Sequence, residues 1–453
     1  MNREHIAFAG PNGGGKSLLA RSLFAGFPQS ERRITCDFLP LMDYREVKMI
    51  AFRDVYGAAD NSYYLQQRWN SQDMQLDNLQ LPIDSEAAAL LELFGAEDIL
   101  DKPAVMLSSG ERRKFQLIKA LLAHPRYLVI DNPFIGLDAA SRTVLTDLLS
   151  QMAAMDQVGI ILLLARAEEI PDFITHAAWV EGMTCGTKTP RQEFRPPTFV
   201  KPVTGDLTPP KPVVGNDFYA SKGTVQNPAT DNVIDIRDLS IKYGERVILN
   251  RINWTVRRGE RWALLGENGS GKSTLLSLVC ADNPQSYACD ISLFGLRRGS
   301  GESIWDIKKR IGYISPEMHR AYNENIPAVK IVASGLYDSV GLYISPHDEQ
   351  YRVCEWWMNV FGILSLRNRS FLQLSDGEQR LTLLARAFVK DPELLILDEP
   401  LHGLDARNRS LVIDLIESFC RRPDKTLIMV THCEDELPAC IDKRFTLARA
   451  CRR

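Results

Sequence analysis

The sequence predicts an α/β chain made of two tandem phosphate-loop domains, and three observations predict it. The pattern G-x-x-x-x-G-K-[ST] occurs twice, as GPNGGGKS at Gly10–Ser17 and GENGSGKS at Gly266–Ser273. A second set of paired segments lies downstream of each copy at one fixed spacing. A proline-rich stretch separates the two sets.

Each loop has the strand–loop–helix setting its chemistry needs. An apolar run precedes it (HIAFA at His5–Ala9, RWALL at Arg261–Leu265) and a helix-like stretch follows. In Gly10, Pro11, Asn12, Gly13, Gly14 and Gly15 the glycines let successive backbone N–H groups turn inward on phosphates, at a helix N-terminus that favours anions. Gly266, Glu267, Asn268, Gly269, Ser270 and Gly271 repeat that loop, with Thr274 in the helix behind it. Lys16 and Lys272 are placed to reach the β- and γ-phosphates, and Ser17 and Ser273 to ligate Mg²⁺. The expected ligand is ATP with Mg²⁺.

The downstream segments read LSSGE at Leu107–Glu111 and LSDGE at Leu374–Glu378, each opening a helical run. YLVIDNPFIGLD at Tyr127–Asp138 and LLILDEPLHGLD at Leu394–Asp405 follow. The offset is 377 − 110 = 267 between the LSxGE glycines and 398 − 131 = 267 between the aspartates. A constant offset over separate motifs is the mark of a duplicated domain. The gap from each loop lysine to its LSxGE glycine leaves room for a helical lobe. Residues 190–228 hold 8 of the 24 prolines. Such a stretch cannot sustain a helix and reads as an extended tether. The expected organisation is a first domain at 1–188, a linker at 189–231 and a second domain at 232–453.

The combination of P-loop, LSxGE signature, acidic strand end and GLD resembles the ATP-binding-cassette (ABC) ATPases, over both halves of the chain. The resemblance implies a RecA-like core with a helical signature lobe in each half. It also implies that ATP sits between the P-loop of one half and the signature of the other. Ser108, Ser109 and Gly110 would then complete the site of the second P-loop, and Ser375, Asp376 and Gly377 that of the first. Asp398 and Asp131 would hold Mg²⁺ with Ser273 and Ser17. Glu399 would polarise the attacking water, His432 would contact the γ-phosphate, and Tyr243 would stack on adenine.

The first half departs from this pattern. Asn132 stands where Glu399 stands, with hydrogen-bonding shape but no charge to accept a proton. Arg166 stands where His432 stands and cannot titrate near neutrality. Only nine residues precede Gly10. The given sequence therefore predicts no antiparallel strands and no adenine-stacking aromatic ahead of the first loop, whether the protein starts here or its start is misassigned. Hydrolysis is expected mainly at the second P-loop. Both halves also lack a glutamine at the family's Q-loop place, where Arg53 and Pro316 stand.

Composition excludes several classes. Net charge is −3, with no global basic field for nucleic acid or anionic lipid. Nine scattered cysteines without a CxxC pair read as reduced cytosolic thiols, neither a disulfide framework nor a zinc site. No apolar run approaches the ~20 residues of a membrane span. Trp356 and Trp357 read as core of a helical lobe, and the basic run Arg297–Arg310 as a solvated face. The segment Leu293–His319 is similar to a tandem-cassette branch linked by name to molybdate transport. This resemblance implies a cytoplasmic ATP-binding subunit that works with a separate transmembrane permease, peripheral on the inner face of the plasma membrane. Two alternatives remain: a soluble tandem cassette acting on the ribosome, and a slow nucleotide-binding regulatory switch.

Overall fold

The computed structural model describes residues 4–22, 46–51, 85–100, 109–135, 137, 139–155, 158–197, 209–210, 231–243, 246–267, 269–322, 324–431 and 434–448. The chain divides into two units, Met1–Val200 with His402–Arg407, and Lys201–Leu401 with Asn408–Arg453.

The first unit is built on strands β1 (Ile6–Ala9), β2 (Val47–Ala51), β3 (Tyr127–Asp131), β4 (Gly159–Leu164), β5 (His176–Glu181), β6 (Thr184–Cys185) and β7 (Thr189–Pro190). They form a sheet in the order β2-β3-β4-β1-β5-β6, with β7 also on β5. The pairs from β2 to β5 are all parallel, which requires both faces to be covered. The sequences comply: β4 reads GIILLL and every residue of it is buried. Helices α1 (Lys16–Ser22), α2 (Ser85–Leu93), α3 (Ser109–Leu121) and α4 (Ala139–Ala154) belong to this unit. Leu117, Ile118, Leu145 and Leu149 from α3 and α4 pack with Leu128, Ile130, Ile160 and Leu162 of the sheet.

The second unit repeats the parallel sheet and adds another. Strands β8 (Asn232–Tyr243) and β9 (Arg246–Arg257) form a long antiparallel ribbon, joined by β11 (Asp290–Leu293) and β12 (Leu296–Arg297) in the order β12-β11-β8-β9. Strands β10 (Arg261–Gly266), β13 (Ile311–Ile314), β14 (Leu394–Asp398), β15 (Thr426–Val430) and β16 (Lys443–Leu447) form a parallel sheet in the order β13-β14-β15-β10-β16. That order matches β2-β3-β4-β1-β5 strand for strand. No counterpart of the β8–β9 ribbon occurs among the described residues of the first unit.

The helices of the second unit are α5 (Lys272–Val279), α6 (Ile304–Lys308), α7 (Pro316–Ala321), α8 (Ala328–Ser334), α9 (Asp348–Val360), α10 (Asp376–Phe388) and α11 (Ala406–Cys420). Trp357 of α9 is 2% exposed and lies 5.3 Å from Phe388 of α10, which lies 5.6 Å from Phe419 of α11. Tilted and edge-to-face aromatic contacts therefore lock these helices together, and Trp357 is core as predicted, with Trp356 half-buried against it.

Two expectations are corrected here. Strand β7 pairs with β5, and Phe194 packs on the first core, so residues 189–197 belong to the first unit and not to the linker. The remaining expected tether falls almost wholly outside the described residues. The run Arg297–Arg310 is not a solvated face. Arg298 is buried against Glu302 at 2.6 Å, Arg310 grips Glu393 at 2.7 and 2.9 Å, and Lys308 meets Asp282 at 2.5 Å. Glycines at Gly299 and Gly301, both at positive φ, turn the chain so that Glu302 comes back to Arg298.

Candidate functional sites at the two phosphate loops

The two loops share one backbone. Gly13 and Gly15 have φ of 73° and 103°, and Gly269 and Gly271 have 77° and 97°. These angles lie in the region that L side chains avoid, which is why glycine stands there. A Cβ on Gly10 would fall 1.9 Å from the Val180 carbonyl, so the loop sits tight against β5. Each loop lysine folds back on its own loop. Lys16 Nζ donates to the carbonyls of Gly10 (2.7 Å) and Pro11 (2.8 Å), and Lys272 Nζ to those of Gly266 (2.7 Å) and Glu267 (2.8 Å). Both lysines are over nine-tenths buried. Burial pulls the Lys16 ammonium down to about 8, against the opposing pull of Asp131.

Beside the first loop, Ser17 Oγ donates to Asp131 Oδ2 at 2.7 Å. The two expected Mg²⁺ ligands of that site are therefore adjacent. In the second unit Asp398 ends β14 and is 6% exposed. Burial, together with the carboxylates of Glu317 and Glu399, pushes Asp398 well above the usual carboxylate range, and Arg380 and Lys272 only partly offset this. A buried acid with surplus negative charge fits a divalent cation. No group of three His, Cys, Asp or Glu side chains among the described residues could hold a metal. The set suits Mg²⁺ that brings water and phosphate oxygens as its other ligands.

The residue after each aspartate is held in the same unusual way. Glu399 has φ 51° and donates its N–H to Val430 O at 2.9 Å. Asn132 has φ 48° and donates to Leu163 O at 2.9 Å. The partners again differ by 430 − 163 = 267. Asparagine tolerates the left-handed region and glutamate does not, so Glu399 sits under strain and Asn132 is relaxed. Asn132 Nδ2 donates to Asp131 Oδ1 at 3.1 Å, turning its amide toward the aspartate.

Buried arginines hold these strand ends from behind. Arg380 of α10 is 3% exposed and donates through Nη2 to the carbonyls of Asp398 (3.1 Å) and Glu399. Arg113 of α3, at the same offset of 267, donates to Pro133 O at 2.8 Å. Sequence reasoning missed both, although each stands three residues after its LSxGE glycine and the repeat arithmetic would have found them. It also missed Glu317. Strand β13 runs parallel to β14 with Ile314 beside Leu397, and Pro316 only opens α7. The neighbouring Glu317 is the group whose charge reaches Asp398 and Arg380.

Other expected residues are placed as follows. Ser375 caps α10 in a reciprocal capping box with Glu378, and Asp376 and Gly377 lie in its first turn. Ser109 and Gly110 open α3. Tyr243 ends β8 half-buried on the core, and its hydroxyl accepts from Asn283 Nδ2 at 3.1 Å. Arg166 pairs with Glu169, which also binds Arg142 at 3.0 Å, so its charge is engaged within its own segment. Arg53, Ser108, Asn268 and His432 lie outside the described residues.

A pattern for the family described as ABC transporter matches residues 2–135 and 249–402. The chain belongs to the ABC ATPase family. ATP hydrolysis is the general activity of these domains. The chain is 35% identical over 456 residues to the ABC transporter ATP-binding protein ModF of Escherichia coli, covering 97% of this chain and 90% of that one. It is 32% identical to an uncharacterised ABC transporter ATP-binding protein of Schizosaccharomyces pombe, over 79% of this chain and 71% of the relative. In fold, the ABC chain resembles the archaeal ribosome recycling factor aABCE1, solved in complex with ribosomal stalk protein aP1. The TM-score is 0.53 at 16% identity, over 98% of this chain and 83% of that one.

Proposed function

We propose that this ABC protein binds two ATP molecules with Mg²⁺, each between the P-loop of one half and the signature of the other. Hydrolysis runs mainly at the second P-loop. There Lys272 holds the phosphates, Ser273 and Asp398 hold the metal, and Glu399 aligns the attacking water, with His432 at the γ-phosphate. Signature residues Ser108, Ser109 and Gly110 complete this site. The other site, with Lys16, Ser17, Asp131 and the signature Ser375, Asp376 and Gly377, binds nucleotide with little turnover. One observation carries the reading: Glu399 and Asn132 share a backbone seat, and only one of them brings a carboxylate to it. A carboxylate at that point can orient water and take its proton, and an amide cannot. Phosphate-release assays test this: Glu399→Gln should lower turnover by about 10²- to 10⁴-fold, the range for removing a general base. Equal losses from Glu399→Gln and Asn132→Ala would refute the asymmetry.

The finer reading is an ATP-binding subunit that drives a separate transmembrane partner, with molybdate or a related oxyanion as cargo. The likeness to ModF supports it. No helix among the described residues is long and apolar enough to cross a membrane. Cross-linking followed by fractionation tests this reading. Recovery of a membrane chain with this protein supports it, and recovery with ribosomes instead would overturn it.

A further inference from the structure

Two thiols meet in the second unit where the sequence showed only scattered cysteines. Cys420 is the last residue of α11 and is 2% exposed. Cys440 lies in the turn Pro438–Ile441, closed by the Ile441 N–H on the Pro438 carbonyl at 3.1 Å, and is half-buried. The two thiols lie close enough for each to act on the other's proton. The turn is docked on the same helix at a second point, since the Ala439 N–H donates to Glu417 Oε1 at 3.3 Å. Arg261 donates from Nη2 to the Cys420 carbonyl and sets a positive charge beside both sulfurs. Helix end, turn and cation thus bring two sulfur atoms together from opposite ends of a twenty-residue stretch of chain.

We propose that Cys420 and Cys440 are a redox-modification site, a dithiol that a hydroperoxide converts reversibly to a disulfide, pinning the segment after Thr431 to α11.

The environments divide the labour. The neighbouring Cys420 thiol holds the Cys440 thiol below its ordinary range, although burial and Glu417 oppose this, and Arg261 adds to the lowering. The same neighbour and burial push Cys420 up. Cys440 is thus the attacking thiolate and the better exposed of the two, and Cys420 is the resolving thiol. The Cys440 thiolate attacks one peroxide oxygen, the O–O bond breaks, and hydroxide leaves to be protonated to water, giving a sulfenic acid. The Cys420 sulfur then attacks the Cys440 sulfur. The S–OH bond breaks, and the hydroxyl leaves with the Cys420 proton as a second water. Two thiols lose two electrons and one hydrogen peroxide gains them. The buried thiols elsewhere are poor competitors: burial pushes Cys354 up to about 12 and Cys280 well above its usual range.

The pinned segment begins where β15 delivers Thr431 next to position 432. Thr431 Oγ1 donates to Glu436 Oε2 at 3.2 Å, and Arg409 of α11 meets Glu436 at 3.1 Å. A covalent tie at Cys440 restrains the loop that follows position 432, so the disulfide slows hydrolysis. This consequence rests on the proposed turnover at the second site.

The experiment treats the full chain with hydrogen peroxide, then maps peptides by mass and measures phosphate release before and after dithiothreitol. The expected result is a peptide pair joining Cys420 to Cys440, two hydrogens lighter than the free thiols, formed ahead of oxidation elsewhere and reversed by dithiothreitol. Cys440→Ser should slow oxidation of Cys420 by at least about 10-fold, since a buried thiol with a raised pKa reacts slowly by itself. Cys420 and Cys440 remaining reduced, or oxidising independently in the wild type, would overturn the site. A disulfide that forms and leaves turnover unchanged would overturn only its regulatory consequence. A protein with no turnover in either state would count against the hydrolysis reading, while the mass map still decides the dithiol.

Discussion

Replacing Glu399 by asparagine should make the protein more stable and less active at once, and the structure gives the size of both effects. Glu399 is held at φ 51° by its N–H bond to Val430 and by Arg380, which grips the carbonyls of Asp398 and Glu399. The residue cannot relax out of the left-handed region without breaking these bonds. Left-handed backbone costs an ordinary L-residue roughly 1–2 kcal/mol, and asparagine escapes much of that. The expected gain for Glu399→Asn over Glu399→Gln is therefore about 1 kcal/mol, or ~2–4 °C in melting temperature for a domain of this size. Both substitutions remove the same charge beside Asp398, so their difference isolates backbone strain. Scanning calorimetry of the full chain measures the shift, and phosphate release measures the loss of turnover common to both. Equal melting temperatures for the two variants would refute the strain argument. Turnover retained in both would refute the role of the carboxylate.

Asn132→Ala, read by phosphate release, should change turnover less than about twofold, because a neutral amide is not a base. Arg380→Met should destabilise the second unit by about 2–3 kcal/mol in denaturant titration, since it leaves buried carbonyls without their donor. Chelation of Mg²⁺ should abolish turnover, with recovery on adding the metal back, because the phosphate charge then has no counter-ion. Burial alone would raise the Glu393 carboxyl, yet the hydrogen bonds from Arg310 and Arg258 outweigh it and hold it below its ordinary range. Its contribution is thus present above the ordinary carboxylate range and is lost as pH falls through the lowered value. The stability gap between wild type and Glu393→Gln in urea should close as pH is taken down from 7.

What the sequence disclosed and what it hid divide along a physical line. The loops, signatures and strand ends were legible because each is a local pattern in contiguous residues, and duplication set them in register. The offset of 267 extends further than the motifs: His124 and Asp391 share positive φ, 47° and 48°, where α3 and α10 lead into the acidic strands. The groups that were missed act across strands or from a helix behind them. Glu317 reaches Asp398 only because β13 lies beside β14, and Arg380 reaches two carbonyls from the signature helix. The first relation leaves no trace in sequence spacing, and the second shows only when the offset of 267 is carried past the motifs to Arg113 and Arg380. The basic run Arg297–Arg310 misled in part for the same reason, since Glu393, more than eighty residues away, supplies the partner of Arg310.

The same division explains how the proposed catalytic carboxylate can be absent from one unit while the fold is kept. The parallel sheet, the buried arginine on the signature helix and the N–H bond from the residue after the aspartate recur in both units. These elements set the position of the strand end through its backbone N–H and carbonyl groups, which asparagine and glutamate share. A change from glutamate to asparagine there removes a base and also removes strain. On the proposed roles, asparagine at position 132 costs the first unit nothing in folding, whereas glutamate at 399 carries a stability cost that the proposed hydrolysis accounts for. Restoring glutamate at position 132 reverses the argument. Asn132→Glu should destabilise the first unit by about 1 kcal/mol, for the strain it reintroduces. It should leave turnover unchanged, because Arg166 stays paired with Glu169 and offers no titratable partner for the phosphate. Melting and phosphate release on the single variant read both. A gain in turnover would mean that the carboxylate alone was missing, and that the rest of the first site is competent for hydrolysis.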